Sequence, residues 1–321
     1  MSKFDPYTHL RIALNSDGSI TRCLQLPKVK ANPVAGPDDV VVSKDVTINV
    51  ETKTWVRILL PTKLPSIDHN TVARLPIIIY FRHGGWVLFS VDDASIHREC
   101  LRFSSRLPAI VIAVNYRLAP ENRLPAQYHD AMDAICWVKN QATNPEGEQW
   151  LRDYGDFSRC YLYGCGCGGN VVFSAALRSF ERDLEPLKIV GLIMNQPLFG
   201  GQKRTKSELD HAADEILPLP VLDLMWELVL PKGLDRDHRY CNPMIMGPHR
   251  SLICRLPKCL VVGYYTDPTI DRQQEFVTML ATSGANVSAW FDDAGFHAIH
   301  LLDPQRAAEL VDTIKAFIIG C

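Results

Sequence analysis

The sequence has no strong charge of either sign: 34 Lys and Arg stand against 36 Asp and Glu over 321 residues, a net charge of −2. With the signs interspersed, nothing favours nucleic acid or an anionic membrane as a partner. It also lacks a long apolar run, and none approaches the ~18 residues of a membrane span. The first ten residues, Met1 to Leu10, carry neither a basic lead nor an apolar stretch, so no secretory signal is expected. Metal and redox spacings of cysteine are missing as well. Of 10 cysteines only Cys165 and Cys167 are close together, and one intervening residue is neither a zinc nor a dithiol spacing. Without an export signal the cysteines read as free thiols, several inside apolar runs, as Cys160 and Cys259 are. These absences predict a cytoplasmic protein, monomer or homodimer, that takes a small-molecule partner and needs no metal or organic cofactor.

What is present is a core and a rhythm. Hydrophobic residues make up 47% of the chain, enough for one domain spanning 1–321. Residues 45–50 and 54–60 read as strands, followed by a loop holding Pro65, Asp68, His69 and Asn70. Short apolar runs then appear at 76–81, 109–114, 160–163, 189–194, 259–263 and 287–291. Helical patterns alternate with them, starting near Asp92, covering 126–139, starting near Gly168, and covering 271–282 and 304–318. That alternation predicts an α/β fold, a mostly parallel sheet with helices on both faces. Residues 207–230 interrupt it with helical pieces broken by Pro218 and Pro220, with Leu224, Met225, Trp226 and Leu228 on apolar faces. They predict a helical cap, drawn from about 200–230 and joined by about 1–40.

Three segments fall at the C-terminal ends of expected strands, where open α/β sheets bind ligands. One is Tyr80-Phe81-Arg82-His83-Gly84-Gly85-Trp86 and another Gly164-Cys165-Gly166-Cys167-Gly168-Gly169-Asn170. The third pairs Tyr264-Tyr265-Thr266-Asp267-Pro268 with Gly295-Phe296-His297-Ala298. Longer motifs lie between them: Asn115-Tyr116-Arg117-Leu118-Ala119-Pro120-Glu121 with Arg123-Leu124-Pro125-Ala126, Asp235-Arg236-Asp237-His238 before Tyr240-Cys241-Asn242-Pro243, and Asp267-Pro268 before Asp271-Arg272-Gln273.

These motifs, in this order and from about Asp5 to the C-terminus, resemble the plant carboxylesterases, the plant branch of the hormone-sensitive-lipase-like α/β-hydrolases. The resemblance implies an α/β-hydrolase fold whose elbow, G-x-S-x-G, presents a serine nucleophile. A histidine takes its proton, an aspartate orients the histidine, and an H-G-G-G loop supplies oxyanion donors. By resemblance His297 is the base and Asp267 its orienter. The elbow tip, however, is Gly166, with neither hydroxyl nor thiol. The oxyanion loop departs too, since Arg82 takes the family's histidine and His83 its first glycine. Gly84 and Gly85 are kept, and with Cys167 they are the expected N–H donors. Arg82, His83, Trp86 and Cys165 are expected around the substrate. Because Cys165 and Cys167 also depart from the family's residues beside the tip, the glycine reads as part of a divergence rather than a single disarming change. A thiol nucleophile is disfavoured, because side chains flanking the tip should point away from it.

The expected function is therefore non-covalent proton transfer by the His297–Asp267 pair, serving elimination, isomerisation or cyclisation of a largely apolar plant metabolite. The resemblance supplies precedents: the family includes members turned to dehydration and to alkaloid-forming cyclisation, and a gibberellin receptor. Two alternatives stay open, a non-catalytic binder and a weak esterase using activated water.

Overall fold

The computed structural model describes residues 4–65 and 73–320. Asp68, His69 and Asn70 of the expected loop lie outside the described residues. The chain starts with α1 (Pro6–His9) and a small antiparallel pair, β1 (Ile12–Leu14) and β2 (Ile20–Arg22). The main sheet begins with β3 (Val41–Asn49), β4 (Thr54–Pro61) and β5 (Leu75–Phe81), followed by α2 (Ala94–Arg106) and β6 (Ile110–Asn115). Next come α3 (Ala126–Gln141), α4 (Gln149–Tyr154), β7 (Gly155–Cys165), α5 (Cys167–Ser179) and β8 (Ile189–Asn195). The last part holds α6 (Lys206–Asp210), α7 (Leu219–Val229), β9 (Lys258–Tyr264), α8 (Ile270–Thr282), β10 (Val287–Asp292) and α9 (Pro304–Ile319).

Eight strands form one sheet in the order β10-β9-β8-β7-β5-β6-β4-β3. All neighbours pair in parallel except at β4, which runs antiparallel to both β3 and β6. The central strands are buried on both faces, which is why β5 is a run of seven buried residues rather than an alternation. Successive side chains of a strand point to opposite faces, and the core divides accordingly. Ile77, Ile79, Phe81, Ile112, Leu162 and Met194 pack with α3, α5 and α8 on one face. Ile78, Tyr80, Val111, Tyr163 and Ile193 pack with α2 and α9 on the other. This is the expected architecture, with helices on both faces of a mostly parallel sheet. The short N-terminal elements and α4 have no counterpart among the expected elements, since three to six residues carry too little periodicity to register.

Residues 200–230 hold α6 and α7 and lie over the C-terminal ends of the strands. A Cβ built on Gly85 would stand 2.5 Å from Met225 Sδ, and the Trp86 and Trp226 rings are 4.8 Å apart. From the N-terminal segment, the His9 ring reaches the Ile216 carbonyl at 3.3 Å.

Candidate active site

The loops after β5, β7, β8, β9 and β10 converge at one end of the sheet. After β7 the chain turns directly into α5, and the turn is tight. A Cβ on Gly164 would lie 2.1 Å from the Gly168 carbonyl oxygen, and one on Gly168 would lie 2.1 Å from that of Phe81. Only glycine fits at either place. Gly166 sits at the tip with φ 55° and ψ −117°, a conformation L side chains rarely adopt. Its N–H donates to the Asn195 carbonyl at 2.9 Å, and its own carbonyl accepts from Leu198 and Gly169. The space above it is different. A Cβ there would meet Leu198 Cδ1 at 3.7 Å and His297 Nε2 at 3.8 Å, both ordinary contacts. The tip points at the imidazole.

That imidazole is held from the other side. His297 Nδ1–H donates to Asp267 Oδ2 at 2.9 Å, which leaves the lone pair on Nε2, facing the tip. Asp267 is fully buried and accepts further hydrogen bonds from the Thr269 N–H and hydroxyl at 2.8 Å each, and from the side-chain amides of Gln196 at 2.6 Å and Gln273 at 3.2 Å. Burial opposes its charge, yet His297 and the Thr269 donors hold the carboxyl below its usual range. Burial likewise opposes a charged His297, but the Asp267 carboxylate and, from residues 200–230, Asp214 raise its pKa above the ordinary 6.5. Sequence reasoning misses Gln196. It donates to Asp267 and to the Phe296 carbonyl and accepts the Ala298 N–H at 2.9 Å, tying together both loops of the pair. The signal is its place directly after β8, at the binding end of the sheet.

The loop after β5 bends at Gly84 (φ 112°), Gly85 (φ 62°) and Trp86 (φ 62°). The Cys167 N–H lies in the first turn of α5, where a helix has no partner of its own to offer. Its side chain turns beneath the loop, where the sulfur accepts the Trp86 N–H at 3.3 Å and is approached by that of Gly85. Burial raises this thiol's pKa, so it stays protonated.

Four residues expected around the substrate are placed differently from one another. His83 is 8% exposed, edge-on to Phe89, and its buried Nε2 has no partner among the described residues. Burial lowers its pKa to about 4, so the ring is neutral near pH 7. Trp86 is wholly buried against Trp226. Arg82 departs from the expectation: its guanidinium bonds the Phe89 and Tyr116 carbonyls at 3.1 and 3.0 Å and stacks 3.9 Å over the Tyr116 ring, bracing the loop from below. Cys165 departs as well. Flanking the tip, it points to the opposite face of the sheet, into a buried polar cluster to which no sequence motif points. There its sulfur lies 3.7 Å from His300 Nε2 and 3.6 Å from Asn195 Nδ2. The cluster centres on Glu99, which accepts from the Tyr80 and Tyr163 hydroxyls at 2.7 and 3.1 Å and faces His300 at 3.5 Å. Burial drives the Cys165 thiol pKa well up, with the Glu99 charge adding to it. Both thiols beside the tip are turned away from it, Cys167 beneath the oxyanion loop and Cys165 into the Glu99 cluster.

Comparisons with known proteins give the family and the fold. The model of an α/β-hydrolase-fold family matches residues 78–301. "Probable carboxylesterase 9" of Arabidopsis thaliana is 53% identical over 98% of this chain and 97% of its own length. A 3-O-acetylpapaveroxine carboxylesterase of Papaver somniferum is 43% identical over 98% of each chain. A gibberellin receptor of Arabidopsis thaliana is 32% identical over 90% of this chain and 82% of its own. Among solved structures, a hyperthermophilic esterase of Pyrobaculum calidifontis shares the fold, with a TM-score of 0.71 and 23% identity over 87% of this chain and 84% of its own. The chain belongs to the plant carboxylesterase family of α/β-hydrolase-fold proteins.

Proposed function

We propose that this family member has a glycine in the nucleophile's place and works without an acyl-enzyme, as a proton-transfer catalyst of the lyase, isomerase or cyclase type. One observation carries the reading: the position from which a tip side chain would meet His297 Nε2, 3.8 Å away, belongs to a residue with no side chain. His297 Nε2 removes a proton beside a substrate carbonyl. Charge developing on that oxygen is held by the N–H groups of Gly84 and Cys167, whereas the Gly85 N–H, expected as a third donor, is turned to the Cys167 sulfur; Asp267 fixes the imidazole tautomer. In an elimination, the electron pair of the broken C–H bond forms the double bond, the leaving group departs with its own pair, and Nε2 then returns the proton to water. Residues 200–230 close the site as a cap, with Met225 and Trp226 against the oxyanion loop; the substrate is a bulky, largely apolar small molecule. Loss of a nucleophile costs a triad enzyme roughly a millionfold in turnover, whereas a placed histidine alone contributes roughly a hundredfold to ten-thousandfold.

A probe that reacts by either route tests the proposal. The β-acetoxy ketone 3-acetoxy-1-phenylpropan-1-one yields the enone by proton removal and loss of acetate, and the hydroxyketone by hydrolysis. We expect enone, no labelling of the chain by an organophosphonate, and loss of the reaction in His297→Ala. Hydroxyketone with a covalent adduct would overturn the reading. The gibberellin receptor among the relatives supports a second reading, a binder without turnover. It would leave both products absent and the affinity for ligands unchanged in His297→Ala.

A further inference from the structure

A cavity of about 230 Å³, bounded by α3, α5 and residues 239–252, has neither the oxyanion loop nor the Asp267–His297 pair in its lining. Its floor is aromatic: Tyr128, Phe173 and Phe199 are buried, and Tyr240 packs edge-on to Tyr128 with centroids 5.1 Å apart. Two cations stand over these rings. The Arg178 guanidinium lies 5.5 Å from the Tyr128 ring and the Arg239 guanidinium 5.6 Å from the Tyr240 ring. Among the described residues neither forms an ion pair; Arg178 has only a long hydrogen bond, 3.5 Å, to the Tyr240 hydroxyl. Glu181 also borders the cavity, at its exposed rim, and is not paired with either arginine. The wall adds His249, whose Nε2–H donates to the Pro243 carbonyl at 2.8 Å while its buried Nδ1 has no partner among the described residues. Burial lowers the His249 pKa, so it adds no charge.

We propose that this cavity binds a small aromatic carboxylate, its ring on the tyrosine and phenylalanine floor and its carboxylate between Arg178 and Arg239. Three features select that class. Guanidinium presents a planar fork that matches a carboxylate with two parallel hydrogen bonds. Two unpaired arginines against one exposed carboxylate leave the mouth cationic, although the chain as a whole has a net charge of −2. The volume suits one ring with a short chain and falls below that of sites for larger ligands. The site is separate from the Gly166–His297 cleft and needs no assumption about the reaction there. Asn170 joins the two structurally: it accepts the Tyr128 hydroxyl at 2.7 Å and donates to the Leu198 carbonyl at 3.2 Å, beside the elbow tip.

Titration calorimetry of the full chain with trans-cinnamate, and with neutral cinnamamide, is the test. We expect saturable cinnamate binding, at least about tenfold weaker binding of the amide, and a loss of about tenfold or more in each of Arg178→Gln and Arg239→Gln. Leu177→Trp, which fills the cavity and leaves both arginines in place, should abolish binding, and His297→Ala should leave it unchanged. Absence of saturable binding at millimolar cinnamate overturns the inference. So does binding that His297→Ala removes and the arginine variants spare, which would place the ligand in the catalytic cleft.

Discussion

The two halves of the cleft contrast. Around Asp267 the structure is dense: one buried carboxylate accepts five hydrogen bonds, from His297, twice from Thr269, and from Gln196 and Gln273. Around Gly166 it is sparse: no heteroatom at the tip, and a Cβ there would touch nothing closer than 3.7 Å. Physics allows the halves to change at different rates. Removing a tip side chain leaves no charge unpaired and only a small gap. Removing one donor from a fully buried carboxylate leaves an ion short of its solvation, which costs several kcal/mol. The acid–base half is therefore held in place by its own interior, with or without a nucleophile opposite.

The sharpest way to break this contrast is Gly166→Ser. The backbone already has the strained geometry, which costs an L residue about 1–3 kcal/mol, and there is room for the hydroxyl to reach His297 Nε2. If the sparse half lacks only the nucleophile, hydrolysis of p-nitrophenyl acetate rises at least about a thousandfold and phosphonate labels the new serine. If the variant stays inert with the fold intact, the oxyanion loop has diverged beyond acyl transfer, and His83 beside Gly84 is the change to reverse next. Asp267→Asn breaks the dense half instead. Its proton-transfer rate is expected to fall roughly a hundredfold to ten-thousandfold. The pH profile separates this from a general loss. In the parent, the rate climbs with pH through a midpoint above 6.5, because His297 must be neutral to act as base and Asp267 raises its pKa. In the variant the carboxylate is gone and burial remains, so the midpoint moves down.

The buried cluster behind the elbow sharpens the comparison from the side of stability. Burial alone would raise the Glu99 pKa, but His300, His83 and the Tyr80 hydroxyl pull it down from 4.5 to about 2. A depressed carboxyl stabilises the fold above its unfolded pKa and loses that contribution as pH falls toward its folded one. Between about pH 4.5 and 2 the parent should lose on the order of 3 kcal/mol, and Glu99→Gln should flatten that part of the curve in urea melts taken across the range. The variant should begin lower at neutral pH.

Much of the fold and part of the site are legible in the sequence. Strands and helices from 76 onward stand within a few residues of their expected places, because buried parallel strands are continuous apolar runs and helix faces repeat on a different period. The Asp267–His297 pair is legible through motif order. Arg82 and Cys165 are not, because whether a side chain enters the pocket or turns beneath it depends on which partners lie on the far side. For Arg82 those are two carbonyls and a tyrosine ring, and for Cys165 they are His300 and Asn195. None of these partners is within six positions in sequence. Glu99 is silent for the same reason: in α2 it looks like any surface carboxylate until Tyr80 and Tyr163 close on it.

Gln196 shows what remains when sequence distance hides a function. Its amide N–H group bonds Asp267 Oδ2 at 2.6 Å and the Phe296 carbonyl at 3.2 Å, and its oxygen accepts the Ala298 N–H at 2.9 Å. Its bonds go to the carboxylate and to the backbone on either side of His297 rather than to Nε2, so its part is to position the pair. Gln196→Leu keeps the volume and removes all three bonds, and Asp267 still keeps Thr269 and Gln273. The expected cost is therefore modest, roughly tenfold in kcat with KM little changed, because the ring is allowed to tilt rather than lost. A purely structural role would lower the melting temperature and leave kcat of the folded fraction untouched. Gln196→Glu is the stricter variant. It puts a second carboxyl against Asp267, which deters ionisation of one of the two, and the added negative charge should keep His297 protonated to higher pH, so that the parent's climb is displaced upward.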